Sequence, residues 1–541
     1  MNNDLLNGFK PHPEEIELHY KQQGIWDNQP IWELIARNAQ DLPDRCAVRD
    51  LSHQLTYAEL LKEADLIAAG LLAKGFNTGE RVVFQWSNQV SFATTLLGIF
   101  RAGLVPVMSL PAHRQNEICH FAQLSGASVY ITSGVEGDAS RLSMIKQIAE
   151  QAKTLRGIYS ADDMDPFDPL PKGEDDFTPP STDPDAPALF LVSGGTTGLP
   201  KLIPRSHNDY RYNIACAASA CELQSNEAYL AVLPAAHNFP LGCPGILGTL
   251  AMGGQVVFTR DASPDQCFEL IERFGVTATA LVPALAQVWT AATAWEAMDL
   301  SSLHLLQVGG SKLAKSDAQA VMAAFPDALQ QVFGMAEGLV CYTHLGDTDE
   351  TIVTTQGRPM SPLDELRVVD DFGQDVVAGQ EGELLTRGPY TLRGYYRAEI
   401  HNRRAFTPDG FYRSGDRVRI QPDGNIVVTG RIKDVVNRGG ETFACDEIEE
   451  HLLAHPNILQ AAVLPMPDTA LGERVGAAIV CNGKVPTLQT LRSFLIERGL
   501  ATFKLPEHLH VRSSLPMTPV GKIDKKKILE IEGESRTNIA Y

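Results

Sequence analysis

Nine consecutive residues, Ser193-Gly194-Gly195-Thr196-Thr197-Gly198-Leu199-Pro200-Lys201, combine three glycines, three hydroxyls and a lysine. Glycines let backbone N–H groups turn inward without Cβ clashes. The hydroxyls of Ser193, Thr196 and Thr197 add donors, and Lys201 adds a positive charge. A concave nest of donors with one mobile cation is what a polyphosphate requires. A Ser/Thr/Gly surface turn has the same composition, so the loop alone leaves both readings open. The GxxxxGK[ST] spacing of a P-loop is absent.

Five further stretches follow in order: Phe333-Gly334-Met335-Ala336-Glu337, Tyr412-Arg413-Ser414-Gly415-Asp416, Gly430-Arg431-Ile432-Lys433-Asp434, Arg438-Gly439-Gly440-Glu441 and Pro519-Val520-Gly521-Lys522. With the opening loop they resemble the core motifs of the adenylate-forming (ANL) superfamily, which includes acyl-CoA synthetases, nonribosomal peptide synthetase adenylation domains and firefly luciferase. Any one motif is weak, but six in order over nearly the whole chain are specific. Within that superfamily, Ala236-His237-Asn238-Phe239-Pro240-Leu241-Gly242-Cys243-Pro244-Gly245 and Lys201-Leu202-Ile203-Pro204-Arg205-Ser206-His207 resemble stand-alone aryl-acid adenylating enzymes of siderophore pathways.

The resemblance implies ATP-dependent activation of an aryl acid to aryl-AMP. A carboxylate is already ionised at neutral pH, so its attack on the α-phosphate needs no general base. The barrier is repulsion between two anions and in-line alignment of attacking and leaving oxygens. The protein must therefore supply cations and oriented donors. By resemblance Lys522 bridges carboxylate and phosphate, and Glu337 holds Mg²⁺ with phosphate oxygens. Asp416 accepts from the ribose hydroxyls and Arg431 contacts ribose or phosphate. Phe333, beside Gly334, covers one face of adenine, while Gly309 and Gly310 let the backbone approach nucleotide and acid. Without the motif, Lys522 reads as a solvated lysine among Lys525, Lys526 and Lys527.

The implied acid pocket comprises His237, Asn238, Cys243, Gly310 and Val340. Amino-acid-activating relatives carry an Asp where this chain has Asn238, and a neutral amide suits an acid without an α-ammonium. The position of Cys243 resembles serine in many 2,3-dihydroxybenzoate enzymes and cysteine in salicylate enzymes. A thiol is a weak partner for a 3-hydroxyl. Val340 resembles the dihydroxybenzoate type, leaving space that a leucine would fill, and the balance favours 2,3-dihydroxybenzoate over salicylate. The second half-reaction implied is thioester formation on the phosphopantetheine thiol of a separate aryl carrier protein, with Lys433 as hinge and Gly439 and Gly440 lining the pantetheine path. A benzoate-type CoA ligase shares the first step, and a non-catalytic acyl-adenylate-binding regulator would need no transfer lysine. No GxGxxG follows a strand near an acidic partner, which removes a dehydrogenase reading.

These residues must be held by a scaffold of alternating strand-like and helix-like runs. Arg81–Gln85, Val105–Met108, Tyr229–Leu233, Gly254–Phe258, Thr279–Val282 and Leu305–Val308 read as strands, with helices opened by Thr56 and over Phe92–Gly103. That repetition predicts an α/β layer with parallel strands. Ser160–Pro187 predicts an irregular connection, and beyond Gly357 turns at Gly373, Gly410 and Gly424 predict a β-rich part. From Asp434 onward the pattern is compact α+β. The expected organisation is therefore a large N-terminal α/β domain with a β-rich subdomain, residues 1–432, and a small mobile α+β lid, residues 433–541.

The chain has 541 residues, too many for one simple core, and a formal net charge of −20. That charge argues against nucleic-acid or anionic-membrane partners and leaves anionic substrates to local cations. Nine scattered cysteines without a CxxC pair predict reduced thiols. With no signal-peptide pattern and no apolar run of membrane-spanning length, the expected location is the cytoplasm.

Overall fold

The computed structural model describes residues 6–133, 139–161, 166–193, 200–432, 434–438, 441–468, 472–498, 500, 502–519 and 521–537. Its centre is two mostly parallel sheets. One runs in the order Asp168–Pro169, Gly157–Ser160, Val129–Thr132, Arg81–Gln85, Val105–Ser109, Pro187–Val192 (β1) and Leu202–Ser206 (β2). Only β2 is antiparallel, as the returning arm of a hairpin from β1. The other sheet contains Cys46–Arg49, Gln255–Phe258, Ala228–Ala231, Ala278–Leu281, Leu305–Gly309 (β3) and Leu329–Met335 (β4) as parallel neighbours. Antiparallel Leu339–Tyr342 (β5) folds back on β4.

Strands buried on both faces read as continuous apolar runs, and β1 does; in Ala278–Leu281 the one hydroxyl, on Thr279, donates to the Leu230 carbonyl at 2.8 Å. The helix Val90–Arg101 is buried along nearly its whole length and touches both sheets, so one core cluster runs through the pair. Thr56 caps the helix Tyr57–Ala73 with a reciprocal Thr56–Glu59 capping box, as its position predicted. The helix Glu33–Asp41 begins shortly after Pro30.

The β-rich part is a four-stranded antiparallel sheet, Glu365–Val369, Gly382–Arg387, Tyr412–Ile420 (β6) and Ile426–Arg431 (β7). After β7 comes a separate sheet with its own apolar core: Glu441–Ala444, Val435–Arg438, Gly472–Cys481 and Ile458–Asp468, with His508–Arg512 added beside Gly472–Cys481. Among the described residues no helix is long and apolar enough to cross a membrane. All nine cysteines are free thiols.

Candidate active site

In open α/β sheets, ligands bind beyond the carboxyl ends of parallel strands. The residues singled out from sequence gather there. Gly309 ends β3, Phe333 and Gly334 lie at the end of β4, Glu337 sits in the turn to β5, and His237 and Asn238 follow Ala228–Ala231. Glu337 is therefore in a β-turn, closed by the Gly338 N–H donating to the Met335 carbonyl at 3.1 Å.

Ser193 and Lys201 close the β1–β2 hairpin. The Ser193 N–H donates to the Lys201 carbonyl at 3.0 Å, and the Lys201 N–H donates to Ser193 Oγ at 2.9 Å. Gly194, Gly195, Thr196, Thr197 and Gly198 between them lie outside the described residues. The Lys201 ammonium lies 5.6 Å from the centre of the Tyr395 ring. The Tyr395 hydroxyl donates to Glu337 Oε1 at 2.6 Å and lies 2.9 Å from the Tyr412 hydroxyl. Strand pairing sets Asp416 of β6 opposite Arg431 of β7, and the Arg431 Nε–H donates to Asp416 Oδ1 at 2.6 Å. Asp416 is buried, so this pair is one of the few places where the protein has put a carboxylate under cover.

Lys522 is half-buried at the same place, whereas Lys526 and Lys527 are exposed and Lys525 pairs with Asp434 and Glu449. A Cβ added at Gly310 would stand 3.8 Å from Lys522 Cε. Burial and the Arg431 guanidinium lower the Lys522 pKa, opposed by Asp416 and Glu337. Burial and the Lys522 charge lower His237 to about 4, so its ring is neutral at pH 7. An ion pair at 3.0 Å between Lys312 and Glu450, in the helix Cys445–Leu453, also ties the loop after Gly310 to the C-terminal part. Lys433, Gly439 and Gly440 lie outside the described residues.

The residues expected to take the acid hang on the helix His207–Ala220 (α1) and the short helix Asn238–Gly242 (α2). His237 caps α2, its Nδ1 accepting from the Phe239 N–H at 3.3 Å. Buried Asn238 accepts from the Tyr210 hydroxyl at 2.8 Å through Oδ1 and directs Nδ2 toward Cys243 Sγ at 3.4 Å. Burial pushes the Cys243 thiol up to about 12, so it is a neutral thiol. Val340 is buried on β5 opposite Gly334 and belongs to the same apolar cluster as Tyr210, Phe239 and Cys243. Gly245 closes this loop with φ of 47°, and a Cβ there would fall 2.0 Å from the Pro240 carbonyl oxygen. Gly245→Ala should cost at least about 2 kcal/mol of stability and raise the acid KM. Thermal melting and substrate titration check this, and an unchanged pair of values would refute the clash.

Three contributors had no role assigned from sequence. Arg205 was visible within a quoted run, but Tyr210 and Tyr395 carried no spacing signal at all. Both tyrosines reach the site through tertiary contacts with Asn238 and Glu337.

Residues 35–396 match the AMP-binding enzyme family and residues 447–522 match the AMP-binding enzyme C-terminal domain. The chain belongs to the AMP-binding enzyme family, within the adenylate-forming superfamily. It is 47% identical to the salicyl-AMP ligase / salicyl-S-ArCP synthetase of Mycobacterium tuberculosis, across 97% of this chain and 94% of that one. It is 46% identical to the 2,3-dihydroxybenzoate-AMP ligase of Bacillus subtilis, across 98% of both chains. The apo structure of MbtA from Mycobacterium smegmatis superposes with a TM-score of 0.76 at 47% identity, covering 97% of this chain and 99% of that one.

Proposed function

We propose that this chain is an aryl-acid AMP ligase that joins a 2-hydroxylated benzoate to AMP, with 2,3-dihydroxybenzoate preferred and salicylate next, and then passes the acyl group to a carrier-protein thiol. The observation that carries this reading is the approach of Lys522 to Gly310, in electrostatic reach of His237, next to Asn238, and of Glu337, Asp416 and Arg431.

In the first step a carboxylate oxygen forms a bond to the ATP α-phosphorus and the α–β bridging P–O bond breaks, releasing pyrophosphate. The Ser193–Lys201 loop cradles the phosphates, and Phe333, Gly334 and Gly309 line the adenine and the backbone approach. Asp416 and Arg431 hold ribose and phosphate. Asn238 receives the acid, with neutral His237 at the mouth of the pocket. Lys522 neutralises the two anions as they meet. In the second step a pantetheine thiol forms a C–S bond, the acyl C–O bond breaks, AMP departs and the thiol proton passes to solvent.

Glu337 fits magnesium. It is a single carboxylate with one oxygen held by Tyr395, and among the described residues no cluster of three or more ligating side chains exists. That donor set suits a cation that keeps water and substrate phosphate as most of its ligands. Bound there, Mg²⁺ would neutralise phosphate charge. The lid is assigned to residues 433–541, with Lys433 as hinge and Gly439 and Gly440 along the pantetheine path. A large domain of residues 1–432 then carries both substrate sites.

ATP–pyrophosphate exchange across a panel of benzoates, with an amino acid as control, tests the first step. Exchange with no aromatic acid overturns the proposal. Thioester assays with free CoA and with a phosphopantetheinylated aryl carrier protein test the acceptor. The preference for 2,3-dihydroxybenzoate rests on the small Val340 side chain. Val340→Leu should lower kcat/KM for 2,3-dihydroxybenzoate against salicylate by about 10-fold or more, the effect of a methylene in a tight pocket. Cys243→Ser should move the ratio the other way, since a hydroxyl is the stronger partner. An unmoved ratio in both variants would remove these residues from substrate choice.

A further inference from the structure

Arg205 is fully buried on β2 and touches both halves of the site. Its Nε–H donates to Asp209 Oδ1 at 2.8 Å, and one Nη–H donates to the Ala336 carbonyl at 3.1 Å, the peptide leading directly into Glu337. Its guanidinium lies over the Tyr210 ring, 4.9 Å from the centroid. The Tyr210 hydroxyl in turn donates to Asn238 Oδ1 at 2.8 Å, and Asn238 meets Cys243. A Cβ at Gly242 would come within 2.6 Å of that same hydroxyl, so the ring has little freedom on the pocket side. Asp209 is held by the Ser206 N–H at 2.7 Å, which fixes the carboxylate that orients Arg205.

We infer that Arg205 is a positioning residue that couples the acid pocket to the nucleotide site. Acid contacting Asn238 restrains Tyr210, Tyr210 restrains the guanidinium plane, and the guanidinium restrains the Ala336–Glu337 turn. Linkage makes the coupling reciprocal, so nucleotide must tighten acid binding by the same factor that acid tightens nucleotide binding. Arginine is required because one rigid, planar fork serves a carboxylate and a carbonyl while its face packs on an aromatic ring. A lysine ammonium can keep Asp209 company but cannot do all three.

The inference rests on the proposed aryl-acid ligase activity, and its test separates the two. α,β-Methylene-ATP cannot be cleaved at the reacting bond, so it and salicylate can occupy the full-length protein together. Calorimetry of each ligand alone and in the presence of the other, with magnesium, measures the coupling factor. The expected factor in the native protein is about 5-fold or more. Arg205→Lys and Tyr210→Phe should each bring it to near 1. In the same variants ATP–pyrophosphate exchange should need more acid and more nucleotide for half-saturation, a change that lost stability alone does not produce.

A native factor of 1 overturns the inference, as does a native-sized factor in a folded Arg205→Lys protein. Should Arg205→Lys not fold, Tyr210→Phe decides alone. It keeps the aromatic face over Arg205 and deletes only the hydroxyl contact to Asn238, so an undiminished factor there overturns the inference. Failure of any aromatic acid to drive exchange in the native protein would instead sink the proposed function.

Discussion

Lys522→Ala should abolish ATP–pyrophosphate exchange, with a fall of about 10³-fold, while ATP affinity stays within about threefold of the native value. The reason is the position of the ammonium. It stands against Gly310, in electrostatic reach of Arg431, Asp416 and Glu337, where the proposed reaction brings carboxylate and α-phosphate together. Two anions meeting in a site shielded from water gain far more from a fixed cation than they would in bulk solvent. Ground-state nucleotide binding relies on many other contacts and loses little. Full exchange activity in the variant would contradict the role.

The same lysine dictates a pH dependence. Burial, reinforced by Arg431, depresses its pKa below the 10.5 of an ordinary lysine. The cation is therefore complete well below that lowered value and disappears as pH rises through it. The kcat/KM profile should show an alkaline limb below pH 10.5, and Lys522→Arg should remove that limb whatever it does to the maximal rate, because a guanidinium stays charged there. A limb of identical position in Lys522→Arg would assign the titration to another group. His237 has no acidic limb to offer near neutrality, since its pKa lies at about 4.

Asn238→Asp should cost about 10²-fold in kcat/KM for the aryl acid and leave nucleotide binding unchanged. Two carboxylates about 5 Å apart at an effective dielectric of about 20 repel by about 3 kcal/mol, which sets that scale. The introduced carboxyl would also lose the donor that the native amide extends to Cys243, 3.4 Å away. Because the site is buried, its pKa would rise, and the penalty should grow with pH as the group ionises. Steady-state kinetics with salicylate and 2,3-dihydroxybenzoate between pH 5 and 8 checks both the size and the slope. Activity within threefold of native at pH 8 would exclude Asn238 from the neighbourhood of the substrate carboxylate.

Much of the scaffold was legible because its signals are local. The buried parallel strands appear as short apolar runs, and Ala228–Ala231, Gln255–Phe258 and Leu305–Gly309 fall within a residue or two of where those runs lie. Thr56 marks a helix start because a hydroxyl can bond a backbone N–H three residues on, which involves no distant partner. Strand ends were less well defined: Tyr229–Leu233 reads as one apolar run, but the strand stops at Ala231, where the chain turns toward the pocket. Val232 and Leu233 stay apolar because they are buried, and burial does not distinguish a strand from the loop that leaves it.

Chemistry followed the same division. Motif order and the family resemblance nominated the glycine-rich loop, Glu337, Asp416, Arg431 and Lys522, residue types that suit a reaction between anions. Tertiary structure decided how they are braced. Tyr395 reaches Glu337 across 58 positions of chain, and Arg205 reaches the Ala336 carbonyl across 131. Tyr210 reaches Asn238 from a different helix. Such partners are selected by three-dimensional packing and hydrogen-bond satisfaction among buried groups, and neither leaves a period or a spacing in the chain.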